Sequence, residues 1–391
     1  MDTILFILTV IVAIPVSIFV LEVLLALLPQ RKIVLPDNLV QPTIAVLVPA
    51  HNESGTIENT LLNISTQLTE NDRLLVVADN CSDDTASIAK VHGAEVIERT
   101  DLERRGKGYA LDYGVRHLEK APPDVVIIID ADCQVEKGAL TIIANNAIAR
   151  NSPIQALYLM NYNNPTIKQR IAEFAWLVKN HVRPLGLSNI GLPCQLMGTG
   201  MAFPWQIIAN AHLATGNIVE DVKMGLDMAS KGHAPLFCPD ARVSSTFPEV
   251  ASAEQSQRKR WEHGHLGTII SEVPKGIIRS VRRFDLKFLA LILDLAIPPL
   301  ALLTMALLVV FFSSLVYVMF GGSPLLATIN LISLCAFFIA TLVAWYGWGR
   351  KAVTYIDLLS VPYYVAKKIP LYISFLIKRE KSWVRTDRNE K

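Results

Sequence analysis

The chain has 391 residues, room for one large folded domain and additional membrane mass. Its 51% hydrophobic content and mean hydropathy of +0.36 are high for a purely soluble chain, and a net charge of +2 supplies no basic excess for a nucleic-acid partner. Five scattered cysteines (81, 133, 194, 238 and 335) include no Cys-x-x-Cys pair, which argues against a disulfide framework or zinc site and agrees with a reducing cytosol.

Residues 3–28 hold a single charge, Glu22, and at ~1.5 Å per residue they can cross a ~30 Å bilayer core. The stretch is too long for a cleaved signal peptide and no basic segment precedes it, so residues 1–30 read as a transmembrane helix. A domain over 40–280 follows, in which strands and helices alternate. Strands over 44–48, 74–77, 95–97 and 125–129 are separated by helices over 55–68, up to 92, and 107–120. This order predicts an α/β, Rossmann-like fold with a mostly parallel sheet covered on both faces. Later strands near 154–160, 199–203 and 235–245 would make the sheet mixed. No Gly-x-Gly-x-x-Gly follows the first strand, which disfavours dinucleotide binding.

The fourth strand matters most. It is apolar and β-branched and ends in Asp130-Ala131-Asp132, so two carboxylates leave the carboxyl end of a buried strand, where open parallel sheets bind their ligands. Hard oxygen ligands at this spacing suit Mg²⁺ or Mn²⁺ carrying a diphosphate. A solvated acidic strand end is the plainer alternative.

The second apolar mass, 284–348, divides at Pro298-Pro299 into an interfacial approach and two spans, over 299–320 and 324–347. Residues 353–377 are apolar but carry Asp357, Pro362, Lys367, Lys368 and Pro370. The region 353–391 is therefore expected to be an amphipathic interfacial helix with a basic cytosolic tail. Arg31 and Lys32, then Arg279, Arg282 and Arg283, then Arg350 and Lys351 flank the spans, whereas the turn at 321–324 has no cation. By the positive-inside tendency, the central domain and the tail face the cytosol of a multi-pass protein of the cell (inner) membrane.

Taken together, Pro49-Ala50-His51-Asn52-Glu53, Asp79, Asp130-Ala131-Asp132, Glu220-Asp221 and Gln257-x-x-Arg260-Trp261 resemble the family 2 glycosyltransferases with a GT-A fold. Within them the chain is similar to the membrane-embedded branch of cellulose, chitin, chito-oligosaccharide and hyaluronan synthases and ceramide glucosyltransferases. The resemblance covers residues 42–265. Asp-x-Asp alone is a weak signal; the whole set in order is a strong one.

The resemblance implies a role for each residue. Ala50, Glu53, Asp79 and Asp130 would hold the nucleotide of a UDP-sugar donor, with Asp132 on the divalent cation. Lys107, flanked by Gly106 and Gly108 before a helix, could meet the diphosphate. Asp221 would be the base that deprotonates the acceptor hydroxyl, with Glu220 supporting it; acidic residues opening a helix would also be stabilising there. Gln257, Arg260 and Trp261 share one helix face, where Arg260 would bind diphosphate oxygens and Trp261 would floor a carbohydrate or glycolipid acceptor site. Arg258 is placed with them, and Gly200 of Gly198-Thr199-Gly200 in the acceptor pocket. His51 and Asn52 build a turn, Asp83 or Asp84 caps a helix, and His263 and His265 are structural. Trp383, Thr386 and Arg388 loosely resemble the gating loop of processive synthases, with a plain basic tail as the equal alternative.

Inverting transfer to a growing β-linked polysaccharide is the leading expectation. A single addition to a lipid acceptor competes with it, because three spans are few for a channel unless the protein is a homo-oligomer in the lipid. A transporter with a regulatory soluble domain is a third expectation, weakened because only Asp294 and Asp357 would sit at membrane depth.

Overall fold

The computed structural model describes residues 2–30, 40–248 and 250–377, so Trp383, Thr386 and Arg388 lie outside the described residues. In chain order, helix α1 (Asp2–Ala26) precedes β1 (Ile44–Ala50), α2 (Ile57–Ser65), β2 (Arg73–Asp79), α3 (Thr85–Val91), β3 (Glu95–Arg99), α4 (Lys107–Leu118), β4 (Val125–Ile128) and β5 (Cys133–Val135). Then come α5 (Ala139–Arg150), β6 (Ile154–Asn161), α6 (Ile167–Leu177), a π-helical turn (Val178–Val182), α7 (Arg183–Asn189), β7 (Met201–Pro204), α8 (Trp205–Ile208), α9 (Glu220–Ser230) and β8 (Leu236–Thr246). The remainder is helical: α10 (Ala251–Arg283), α11 (Leu286–Leu295), α12 (Leu300–Met319), α13 (Leu325–Ala344), α14 (Tyr355–Leu358), α15 (Val361–Lys367) and α16 (Ile369–Ile377).

These elements form two compact units. One contains residues 40–163, 193–248 and 250–264; the other contains 2–30, 164–192 and 265–377. The chain therefore contributes 164–192 to the helical unit from within the stretch expected to form one soluble domain.

The first unit is built on an eight-stranded sheet of order β3-β2-β1-β4-β7-β6-β8-β5. β3, β2, β1 and β4 are parallel, β7 runs antiparallel to β4 and β6, and β6 pairs parallel with β8. Strand alternation sends Ala45, Leu47, Leu75, Val77, Val126 and Ile128 into one core with Ala110, Leu111, Val115 and Leu118 of α4. Full burial of each large side chain contributes about 1.5–3 kcal/mol. Gly114 permits the close approach of α4 to the sheet, since a Cβ there would meet Leu47 Cδ1 at 2.5 Å.

In the helical unit, α1, α12 and the stretch Leu325–Gly349 are long and apolar enough to cross a membrane. The 353–377 region is three short helices rather than one. Thr354 and Asp357 form a reciprocal cap that starts α14, and the prolines at 362 and 370 sit at starts of α15 and α16, where a missing N–H is tolerated. Asp357 is buried and held by both arms of Arg170, at 2.9 and 2.7 Å. This pair and the caps push its carboxyl well below the ordinary range against the opposing effect of burial. His265 is structural, as expected: its Nε2 lies 3.3 Å from the Leu295 carbonyl, and burial, helped by Lys179 and Arg183, lowers it to about 3.

Candidate functional site

The carboxyl ends of β1, β2 and β4 carry the polar residues. At the end of β1, Asn52 turns the chain with φ of 55°, and Asn80 does the same after β2 with φ of 53°. Asparagine tolerates this left-handed conformation better than most residues. The two turns are tied together. Ser82 donates its backbone N–H to Asn52 Oδ1 at 2.7 Å, Cys81 Sγ approaches the Ala50 carbonyl at 3.5 Å, and His51 Nδ1 lies 2.6 Å from the Asp79 carbonyl. His51 and Asn52 thus build the turn as expected. Glu53 accepts from Thr56 Oγ1 at 2.9 Å, and its backbone N–H donates to Thr85. Asp84 occupies the N-cap position of α3 without a side-chain bond. The capping bond comes from Asp83, whose carboxylate accepts from the backbone N–H groups of Ser54 and Thr85 at 3.1 Å each.

Asp79 is buried, and its carboxylate accepts from Arg99 Nη1 at 2.6 Å and from Asn80 Nδ2 at 3.0 Å. The same guanidinium reaches Asp101 and the Arg104 carbonyl and lies over the Tyr109 ring, with its Cζ 5.5 Å from the centroid. Arg99 at the end of β3 is therefore a site-edge residue that the sequence does not signal, because only the parallel pairing of β2 with β3 puts Asp79 opposite it.

Lys107, first residue of α4, is the hub of the second cluster. Its Nζ donates to Asp130 Oδ1 and, at 2.8 Å, to the Gly198 carbonyl. Burial disfavours its charge, but Asp130, Glu220 and Asp221 outweigh burial and raise its pKa. Burial and the charges of Asp132 and Asp221 raise that of Asp130, opposed by Lys107. Glu220 and Asp221 are the first two residues of α9, where acidic side chains suit the helix start, and both lie within electrostatic reach of Lys107. Burial first, then the Asp221 charge, lifts Glu220 to about 7. A Cβ built on Gly198 would lie 3.5 Å from Asp221 Oδ2 and 3.8 Å from Lys107 Nζ, so both charged groups lie against one bare backbone position.

The loop 198–200 is held by a residue absent from the sequence argument. Gln155 on β6 is fully buried; its Oε1 accepts from Met197 N–H at 2.7 Å and its Nε2 donates to the Thr199 carbonyl at 2.9 Å. Thr199 Oγ1 accepts from the Asp130 N–H at 3.0 Å. Gly200, with φ of 66°, bridges β4 and β6 through its N–H and carbonyl, and a Cβ there would meet Val243 at 2.9 Å. The pairing of β6 with β8 shifts register at this point: Ala156 faces Cys238 and Leu157 faces Arg242. One lone amide in an apolar strand was the available signal for Gln155.

Gln257, Arg260 and Trp261 lie on α10, with Gln257 buried. Gly264 continues the face of Arg260 and Trp261 at spacings of four and three. A Cβ at Gly264 would meet Val219 at 2.9 Å and Ile218 at 3.3 Å, so this turn packs on the residues leading into Glu220. Arg258 has other partners than the expected diphosphate: its Nη2 donates to Glu254 at 2.6 Å and to the Tyr162 hydroxyl at 3.0 Å, and Tyr162 stacks on Phe247 with ring centroids 4.3 Å apart. Spacing alone groups Arg258 with Arg260; the helix turns it to the side that faces the end of β6.

Among the described residues, no three His, Cys, Asp or Glu side chains cluster as metal ligands. Asp130 and Asp132 still fit a hard cation, since Mg²⁺ takes only one or two protein carboxylates and completes its shell with phosphate oxygens and water. With Lys107 on Asp130, Asp132 is the better placed of the two.

Residues 42–264 match the family described as "Glycosyltransferase like family 2". Over 232 residues the chain is 28% identical to the poly-beta-1,6-N-acetyl-D-glucosamine synthase of Staphylococcus aureus (strain MSSA476), covering 56% of this chain and 54% of that protein. Over 240 residues it is 26% identical to the probable glycosyltransferase YdaM of Bacillus subtilis (strain 168), covering 57% and 55%. The chain spans about half the length of the curated relatives it matches. Among solved structures it resembles the mannosyltransferase PcManGT from Pyrobaculum calidifontis in complex with GDP-Man and Mn²⁺, with a TM-score of 0.57 at 18% identity, covering 95% of this chain and 100% of that one. That likeness is one of fold, and it makes the mixed sheet a GT-A sheet. The family match takes in more than half of the chain, including every residue from Ala50 to Trp261 discussed above, and this protein belongs to glycosyltransferase family 2.

Proposed function

We propose that the protein is an inverting transferase that moves a sugar from a UDP-sugar to a growing β-linked polysaccharide at the cytosolic membrane face. The observation that carries this reading is the shared lysine: Lys107 joins Asp130 at the end of β4 to the Gly198 carbonyl, within electrostatic reach of Glu220 and Asp221. Donor-side and acceptor-side groups thereby meet at one cation. The similarity to a polysaccharide synthase supports the polymer as product, and membership of an enzyme family weighs against the transporter reading.

In the reaction, the acceptor hydroxyl attacks the anomeric carbon as the bond from that carbon to the diphosphate breaks, and Asp221 takes the hydroxyl proton. One new glycosidic bond forms, UDP leaves with the bonding pair, and the anomeric configuration inverts. Lys107 and Arg260 stabilise the charge gathering on the departing diphosphate. Asp132 would hold a Mg²⁺ or Mn²⁺, which supplies further positive charge there when bound. Ala50, Glu53 and Asp79 line the nucleotide end, while Gln257, Trp261, Gly200 and Glu220 shape the acceptor end. Arg279, Arg282 and Arg283 before α12, and Arg350 and Lys351 after the third span, support a cytosolic catalytic unit.

Asp221→Asn is expected to lower transfer by about 10²–10⁴-fold while UDP affinity, read by calorimetry, stays at the wild-type value. Unchanged turnover would remove Asp221 as the base, and loss of UDP affinity would make its role structural. A second reading, one sugar added to a lipid acceptor, is favoured by the presence of three candidate spans among the described residues. Product sizing separates the two: long ladders mean polymerisation, and a single added residue on a lipid means single transfer.

A further inference from the structure

The last two turns of α10 and the start of α11 concentrate cations that take no part in the proposed transfer chemistry. Lys275, Ile278, Arg279, Arg282 and Arg283 line an open groove of about 400 Å³. Spacings of three and four put Lys275, Arg279, Arg282 and Arg283 on one side of the helix. In the groove itself Ile278 is 54% exposed, and just past the helix end Phe284 is 90% and Leu286 75% exposed. Apolar side chains next to cations suit the boundary of a bilayer, where one set enters the acyl region and the other meets lipid phosphates. The chain then continues through α11 into α12, which is long and apolar enough to cross a membrane.

A plainer role exists for some of these cations. Basic residues in a last helical turn complement the helix dipole, and Arg279 lies over the Phe288 ring with its Cζ 5.7 Å from the centroid. The dipole accounts for Arg282 and Arg283 but not for Lys275, two turns earlier on the same groove. The nearby Asp285 carboxylate is engaged as the cap of α11, accepting from the Phe288 N–H at 2.9 Å.

We infer that this groove binds the phosphate headgroup of an anionic phospholipid in the bilayer around the helical unit. Its ligand is a phosphodiester of single negative charge whose acyl chains lie along Ile278, Phe284 and Leu286. The test uses the full chain in neutral detergent, offered equal amounts of phosphatidylglycerol and phosphatidylcholine, with retained lipid counted by native mass spectrometry. Phosphatidylglycerol is expected to be retained in preference. The exposed pair K275Q/R282Q is expected to weaken its retention roughly 25-fold, at about fivefold per cation removed. K275R/R282K, which keeps both charges, should restore it. Equal retention of the two lipids overturns the inference, as does unchanged retention in K275Q/R282Q. Displacement by free glycerol phosphate at the same concentration would assign the groove to a soluble anion and overturn the bilayer source.

Discussion

Glu220 keeps its proton to about pH 7, against an ordinary 4.5, because burial and the Asp221 charge oppose ionisation more than Lys107 favours it. Between those values the folded chain binds more protons at this position than the unfolded chain. Stability from Glu220 is thus fully present below about pH 4.5 and is lost as pH rises through 7. Glu220→Gln cannot ionise. Its thermal midpoint in detergent should match wild type near pH 4.5 and exceed it at pH 8, by an amount on the order of 1–2 kcal/mol once partial solvent access is allowed for. A constant difference across that range would mean the carboxyl titrates normally. At this scale the sequence was informative wherever chemistry sits on a strand end. Asp130 and Asp132 are legible because an apolar run stops at a carboxylate, whereas Glu220 and Asp221 open a helix and stand out only as an acidic pair in the family pattern. Arg99 and Gln155 are not legible, since one reaches Asp79 only through strand pairing and the other does its work by hydrogen-bonding a loop 42 residues away.

Helix α10 shows how glycine marks contact rather than flexibility. Its residues up to 264 belong to the sheet unit and those from 265 to the helical unit. Gly264 faces Val219 at 2.9 Å for an added Cβ, and Gly276 faces Ile292 Cδ1 at 2.3 Å. Both Gly264→Ala and Gly276→Ala overpack, at a cost of about 1–3 kcal/mol each. Their effects on activity should differ. Gly264→Ala pushes on the residues that lead into Glu220 and Asp221, so kcat should fall at least tenfold, as small displacements of a reacting group do. Gly276→Ala should lower the thermal midpoint and leave kcat near wild type. Equal kcat losses would show that the packing of Gly264 on Val219 does not position the acidic pair. The sequence exposes the Gln-x-x-Arg-Trp face of this helix, yet not the glycines, whose meaning depends on what each one touches.

Across the whole molecule, the helical unit is assembled from three separated stretches, and one arginine joins them. Arg183 on α7 donates to Glu22 of α1 at 2.8 Å and to Asp294 of α11 at 2.6 Å, and also to the Asp294 carbonyl at 2.7 Å. All three side chains are buried. Gly186, one turn along, lets α7 approach α1 so closely that a Cβ would lie 2.0 Å from the Glu22 carbonyl oxygen, and Asn189 donates to the Leu25 and Leu28 carbonyls. In the sequence Glu22 and Asp294 stand out as solitary acids in apolar stretches. Their partner lies 161 and 111 residues away, in a segment with no periodic signal tying it to the spans. Removing only the arginine leaves two acids together in a buried place, so Arg183→Met should destabilise the protein by about 3–5 kcal/mol. The triple variant E22Q/R183M/D294N carries none of the charges and should recover most of that loss, because a buried ion network is worth little more than neutral groups of the same shape. Thermal midpoints in detergent decide it: a triple variant no more stable than R183M would mean that the hydrogen-bond geometry, rather than charge balance, holds α1, α7 and α11 together.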